Sequence, residues 1–234
     1  AIPNKGRLSE RSVELLTKAG LDIGEDWGRK LYIGVKGRDI EVLLVRAQDI
    51  PEFVCSGAID IGVTGLDQIE ESGHNLKNIL NLDYGHCRLS LAVPDNSDVK
   101  SAEDVKEGAR IATSFPNMTK RYFESVGKKV SIVTISGAAE IMPYIGVSDY
   151  VVDLVSTGST LKMNRLREVA VLFESQAAIV TTEKALAEKQ EAIMEVADAI
   201  RSVIDAEDRK YLMANVPVDR IEDVESFLPG IGTL

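Results

Sequence analysis

The 234-residue chain is short of the side chains that most often do chemistry alone. It has two cysteines, Cys55 and Cys87, and two histidines, His74 and His86. Two cysteines are too few for a disulfide framework, and neither has a partner at zinc-ligand spacing. A histidine-built metal site and a His–Cys or His–Ser nucleophilic pair are also unsupported. No apolar run approaches the roughly 18 residues of a membrane span. No basic-then-apolar leader is seen. Cysteine usage and the missing leader give the expectation of a cytoplasmic protein. Excess positive charge is also lacking. With 27 Lys+Arg against 37 Asp+Glu, the formal net charge is −10. That balance excludes a nucleic-acid or anionic-membrane binder, since both need a dense positive face. It leaves room for a phosphate-bearing small molecule bound by a few local cations and N–H groups.

The acidity is unevenly placed. Residues 183–234 hold 6 basic and 12 acidic side chains, while the preceding 182 residues carry a net charge of only −4. Apolar runs alternate with helix-period segments, the pattern of an α/β fold. The sequence predicts a first helix capped by Ser9, a hairpin of Leu31–Val35 and Ile40–Val45, and a helix capped by Asp49. Strands follow at Ile59–Val63, Ile79–Leu82 and Leu89–Val93. A second series has a helix at Ala102–Lys106, a strand at Arg110–Thr113 and a helix at Asn117–Val126. It continues with a strand at Val130–Ile135, a helix at Ala138–Ile145 and a strand at Tyr150–Val155. Strands at Ala170–Phe173 and Ala177–Val180 lead to one long helix from Glu183 to Glu207. A strand at Tyr211–Val216 and a helix at Ile221–Leu228 would begin something further. Ala1-Ile2-Pro3 is short for a first strand, and the expectation is that a few residues precede it.

One stretch echoes another. Ile59-Asp60-Ile61-Gly62-Val63-Thr64-Gly65 is matched by Val152-Asp153-Leu154-Val155-Ser156-Thr157-Gly158. Each is an apolar strand with an internal Asp, ending in Thr-Gly before a helical start. Gly lets backbone N–H groups converge, Thr adds a hydroxyl, and a helix N-terminus favours negative charge, so such a turn suits an anion. Thr-Gly after a strand is also ordinary turn chemistry. The second copy is the richer one, since Ser156, Thr157, Ser159 and Thr160 place four hydroxyls around Gly158. Lys5, Arg7, Arg29 and Arg46, all near strand ends, are cations suited to phosphate oxygens. Singly, each such cation is more often a solvated surface charge.

The ordered set resembles the ATP phosphoribosyltransferases, the first enzymes of histidine biosynthesis. The resemblance is carried by Pro3–Leu8, Arg29–Leu31, Arg46–Pro51, Asp60–Asp67, Arg110–Thr113, Gly137–Glu140 and Asp153–Leu161. It implies a two-lobed fold like the type II periplasmic binding proteins. The first lobe would comprise 1–88 and 172–209, the second 89–171, and 210–234 the start of a C-terminal α+β regulatory domain. The implied reaction joins ATP to phosphoribosyl pyrophosphate with Mg²⁺, giving N1-(5-phosphoribosyl)-ATP and pyrophosphate. Asp153 would contact ribose hydroxyls. Ser156, Thr157, Gly158, Ser159, Thr160 and Leu161 would form the phosphate loop, with Ser159 where the family frequently has Thr. Lys5, Arg7, Arg29 and Arg46 would surround the pyrophosphate and ATP, with Arg29 and Arg46 stabilising the leaving group. Asp67 and Glu140 match positions in the cleft. Mg²⁺ is expected mainly on substrate phosphates.

The family has a short form with a synthetase-like partner and a long form with a histidine-binding regulatory domain. Arg209–Pro217 and Leu228–Gly230 resemble the opening of that domain, so the expectation is a long form whose regulatory domain is truncated or absent. Histidine feedback would need the complete domain. A homo-oligomer, dimer or hexamer, is implied. The alternative for such a fold is a non-enzymatic two-lobed protein that binds a solute or nucleotide.

Overall fold

A computed structural model describes residues 1–24, 30–207, 209, 215–221, 223 and 224. The first part of the chain supplies most of two small three-stranded sheets. Its strands are β1 (Ile2–Pro3), β2 (Tyr32–Gly34), β3 (Glu41–Val45), β4 (Ile61–Gly65) and β5 (Lys77–Asn81). One sheet has the order β1-β3-β2, and the other is built on β4 and β5. β1 is parallel to β3, and β2 pairs antiparallel with β3 as the expected hairpin. Val63 N–H bonds to Ala1 C=O at 2.9 Å and the Ala1 amine to Ile61 C=O at 2.7 Å, which joins β1 to β4. β4 and β5 do not touch directly. A much later strand, β11 (Ala177–Thr181), lies between them. All five β11 residues are buried. This is why its sequence, Ala-Ala-Ile-Val-Thr, is small or β-branched throughout instead of alternating.

The intervening chain makes a separate, five-stranded sheet with the order β10-β6-β9-β7-β8. These strands are β6 (Cys87–Pro94), β7 (Arg110–Thr113), β8 (Ser131–Thr134), β9 (Tyr150–Val155) and β10 (Leu166–Ser175). β7 is parallel to β8 and β9, so their carboxyl ends share one edge. The core beneath includes Leu89, Leu91, Ile111, Phe123 and Val152. The chain passes between this sheet and the first pair twice. It leaves through 82–87 and returns at Gln176, and the two passages lie side by side. Ala177 N–H bonds to Tyr84 C=O, and Leu82 N–H to Ala177 C=O, both at 2.9 Å.

The helices are α1 (Ser9–Lys18), α2 (Ile50–Cys55), α3 (Leu66–Ser72), α4 (Pro116–Ser125), α5 (Ser159–Met163), α6 (Glu183–Glu188) and α7 (Gln190–Glu207). Several depart from expectation for identifiable reasons. Ser9 does not cap α1. The chain already turns at Leu8, Ser9 N–H bonds to Gly6 C=O, and Ser9 is buried inside the first turn. Asp49 does not cap α2, because it ends a 3₁₀ turn at Ala47–Asp49 and has helical dihedrals. The expected helix at Ala102–Lys106 is a 3₁₀ turn, Ala102–Asp104, with a capping box between Ser101 and Asp104. The expected helix at Ala138–Ile145 is only a 3₁₀ turn, Ala139–Ile141. Ala138 enters it with φ of 53°, and Pro143 cannot donate to a continuing helix. The single long helix after Glu183 is two, broken at Lys189 (φ −131°), which pairs with Asp60 at 2.9 Å. The apolar stripe of Ile193, Val196, Ala197 and Ile200 is buried as its spacing predicts. The expected strand at Tyr211–Val216 and helix at Ile221–Leu228 lie mostly outside the described residues.

Candidate active site

The carboxyl ends of β1, β3 and β4 in the first lobe lead into the segments that hold Lys5, Arg46 and α3. Lys5, Gly6, Arg46, Ala47, Gln48 and Gln68 line a hollow of about 450 Å³, closed on its far side by Ser136 of the other lobe. Lys5 and Arg46 are exposed, so this is a cationic hollow between the two lobes. Gly6 makes the turn that presents Lys5, with φ of 81° that favours glycine. Gln68 and Ser136 carried no sequence signal, and Gln48, though within the resembling Arg46–Pro51 segment, was not singled out. They are single polar residues in unremarkable positions, placed here only by the pairing of strands distant in the chain.

The second lobe supplies a recess of about 160 Å³ between Glu140, Asp153 and the residues from Leu154 to Leu161, Ser159 apart. β9 carries Asp153 to the sheet edge. Burial, with Glu140 nearby, pushes the Asp153 carboxyl above its ordinary value, while the Leu154 N–H donated to it works the other way. Gly158 turns the loop with φ of 77°. Ser156, Thr157, Ser159 and Thr160 are exposed, whereas Leu161 is buried and anchors the loop in the core. Thr157 Oγ1 and Ser159 Oγ lie 3.0 Å apart, sharing one proton donor between them. Arg88, paired with Glu168 at 2.9 Å, donates to the Ser156 carbonyl at 3.3 Å and so holds the loop from behind. α5 is a single five-residue turn, so the donors that matter are individual N–H and hydroxyl groups rather than a long helix dipole. One end of the recess has carboxylates suited to a vicinal diol; the other has donors suited to a phosphate.

The two echoing turns differ in use. Thr64 is fully buried and donates to Ala47 C=O at 2.8 Å. A Cβ on Gly65 would lie 2.1 Å from Asp67 Oδ1, so that glycine serves close packing. Asp67 has no exposed surface. It pairs with Arg7 at 3.3 Å and accepts from Ser175 and Gln68. Arg7 and Asp67 are therefore brought together, but turned toward each other. Arg29 lies outside the described residues.

Two α/β lobes, one with a cationic hollow and the other with a recess of carboxylates and hydroxyls, define a binding-protein-like fold. Fold comparison agrees: an arginine-binding protein from Thermotoga maritima overlays with a TM-score of 0.53 at 16% identity, over 83% of this chain and 79% of that one. The family model for ATP phosphoribosyltransferase (HisG) matches residues 46–202. An ATP phosphoribosyltransferase of Methanopyrus kandleri is 47% identical over 99% of this chain and 81% of its own length. A chain of the ATP phosphoribosyl transferase (HisG:HisZ) complex from Thermotoga maritima overlays with a TM-score of 0.78 at 30% identity, covering 88% of this chain and 98% of that one. The chain belongs to the ATP phosphoribosyltransferase family, the pentosyltransferases of the first step of histidine biosynthesis. The residues matched to a regulatory domain, 209–217 and 228–230, lie mostly outside the described ones.

Proposed function

We propose that the second-lobe recess holds the ribose 5-phosphate of phosphoribosyl pyrophosphate and that the cationic hollow receives ATP and the leaving pyrophosphate. The observation that carries this reading is the recess itself: Asp153 and Glu140 at one end and exposed hydroxyls around Gly158 at the other. Asp153 accepts from ribose hydroxyls, and the N–H and hydroxyl groups from Ser156 to Thr160 donate to the 5-phosphate. Lys5 and Arg46 stand across the cleft, where negative charge grows on pyrophosphate as adenine N1 attacks the ribose C1. No covalent intermediate is needed. The residues bring the reactants into line and stabilise the leaving group electrostatically. Arg29 shares that role.

Among the described residues no group of three or more His, Cys, Asp or Glu side chains is placed to hold a metal ion. Mg²⁺ would arrive on substrate phosphates beside Glu140 and Asp153, which line the same recess, since this ion keeps several waters and needs few protein ligands. Glu140 is the carboxylate that would hold it. When bound, the ion neutralises charge on the pyrophosphate. The second lobe spans 87–175, the stretch of its sheet from β6 to β10 and slightly wider than the expected 89–171, with the first lobe on either side and 210–234 as the start of a regulatory segment. A cytoplasmic homo-oligomer, dimer or hexamer, inhibited by histidine only where the regulatory domain is complete, completes the reading.

The test is pyrophosphate release with ATP, phosphoribosyl pyrophosphate and Mg²⁺. Arg46→Ala should cut turnover by about 100-fold, the scale of losing one charged transition-state contact, and shift the melting temperature little, because Arg46 is exposed. Full activity in that variant would remove Arg46 from the mechanism. Dependence of release on phosphoribosyl pyrophosphate but not ATP would instead favour a binding protein with adventitious hydrolysis.

A further inference from the structure

We infer that Arg7, Asp67 and Ser175 form a positioning unit that sets the angle between the lobes for the transfer reaction, and that Arg7 and Asp67 act there instead of touching substrate. This rests on the reading that the substrates occupy both lobes.

Asp67 stands in the first turn of α3 and is fully buried. Its carboxylate takes hydrogen bonds from Arg7 Nη2 at 3.3 Å, Ser175 Oγ at 2.5 Å and Gln68 Nε2 at 2.7 Å. A buried carboxylate so supplied is satisfied within the protein and offers no face to a ligand. Ser175 is the last residue of β10, at the return passage between the lobes. Its hydroxyl donates to Asp67 Oδ1 and accepts from the Asp67 N–H at 3.0 Å. The neighbouring Leu66 N–H bonds to Gln176 C=O at 3.0 Å. Arg7 completes the set by donating from Nη1 to the carbonyl of Gly85, on the outgoing passage. One ion pair of the first lobe therefore grips both passages.

Two glycines show how closely these parts meet. A Cβ on Gly65 would lie 2.1 Å from Asp67 Oδ1, and one on Gly85 2.2 Å from Leu8 Cδ2. Gly85 also has φ of 66°, which favours glycine. The loop that carries Arg7 carries Lys5 two residues earlier, and Lys5 faces Ser136 of the second lobe across the cationic hollow. A change of lobe angle strains Ser175 and Gly85 against Arg7, and the same loop moves Lys5. The position of a cleft cation and the closure of the cleft are coupled through three side chains.

Removing Asp67 or Arg7 strands a charge and endangers folding, so Ser175→Ala in the full chain is the deciding variant. It removes the two hydrogen bonds between the Ser175 hydroxyl and Asp67 and leaves the ion pair. Three readouts are needed: steady-state pyrophosphate release, the Kd of phosphoribosyl pyrophosphate with Mg²⁺ by calorimetry, and small-angle scattering with and without both substrates. We expect kcat to fall about tenfold, Kd for phosphoribosyl pyrophosphate to stay within twofold, and the substrate-induced contraction to shrink. Ser175→Thr, which keeps the hydroxyl, should restore most of kcat. Unchanged kcat and contraction in Ser175→Ala would overturn the proposal. So would a fall in kcat matched by an equal loss of phosphoribosyl pyrophosphate affinity, which would mark a ligand contact. A wild-type protein with no transferase activity would defeat the site reading instead; the scattering and Kd arms would still decide the hinge.

Discussion

Asp153 is held in the recess at a cost to the fold. Its carboxyl is half-buried, and burial raises its proton affinity in the folded protein. A carboxyl that binds its proton more tightly folded than unfolded weakens the fold as pH rises through the window between its ordinary and its raised value. Below that window the penalty is absent; above it, the penalty is complete. Asp153→Asn should therefore melt no lower than the wild type at neutral pH. Any gain should vanish when both are melted at pH 3, where the carboxyl is protonated in both states. On the proposed reading the same change removes charge-assisted bonds to ribose, each worth about 1.5–3 kcal/mol, so kcat/KM should fall by roughly 10- to 100-fold. Loss of stability together with activity would show that Asp153 is structural. At this scale the sequence was informative where a residue type is unusual for its place, as with four hydroxyls around Gly158. It was silent where placement depends on a distant strand. Gln68, Ser136 and Arg88 belong to that second group. Asp67 has the residue type of a ligand site, and the bond from Ser175, 108 residues away, shows it turned inward, with exposed Arg7 reaching it from outside.

Two glycines in β4 and the phosphate loop make opposite demands. Gly62 lies flat against α2, where an added Cβ would meet Ile50 Cγ2 at 2.3 Å and Val54 Cγ2 at 3.0 Å. Gly62→Ala should destabilise by about 1–3 kcal/mol through overpacking, seen as a lower denaturation midpoint, with KM for phosphoribosyl pyrophosphate unchanged. Gly158 has open space, with Val155 Cγ1 no closer than 3.8 Å from an added Cβ, but its φ of 77° is strained for any L side chain. Gly158→Ala should cost about 1–2 kcal/mol of stability and also raise KM for phosphoribosyl pyrophosphate several-fold, because the loop must reshape. If the two variants behaved alike in binding, the loop would not be the phosphate site. Strands such as Arg110–Thr113 and Tyr150–Val155 were legible to the residue, since buried β-branched runs with polar ends permit little else. The helix expected over Ala138–Ile145 shortens to a 3₁₀ turn because Ala138 enters at φ of 53° and Pro143 has no N–H to continue it. The break at Lys189 coincides with an ion pair to Asp60, 129 residues away, that local spacing does not reveal.

Across the whole molecule, the lobes also meet away from the cleft. Glu71 of α3 accepts from the Asn117 and Met118 N–H groups at 3.0 and 2.9 Å, capping α4 from the other lobe. Arg121 pairs with Glu70 beside it at 2.7 Å. Glu71→Ala removes a cap worth about 1 kcal/mol, and thermal melts should show a loss of that order. An unchanged melt would mean that water replaces the carboxylate at no cost. The two-lobed plan was legible in outline from the alternation of strands and helices and from the family resemblance. The position of β11 between β4 and β5 was not, since no local pattern states which strands become neighbours.

That insertion has a consequence for the order in which the protein comes into being. The second lobe's sheet uses one unbroken stretch, from Cys87 to Ser175, and every strand it needs has been made once Ser175 is added. In the first lobe the β1-β3-β2 sheet is supplied at the outset, yet the β4-β11-β5 sheet lacks its middle strand until Ala177–Thr181 follows. Domains generally form as units while the chain grows. On a ribosome, the lobe begun second is the one finished first, and the earlier strands wait, open at an unpaired edge, for the chain to return.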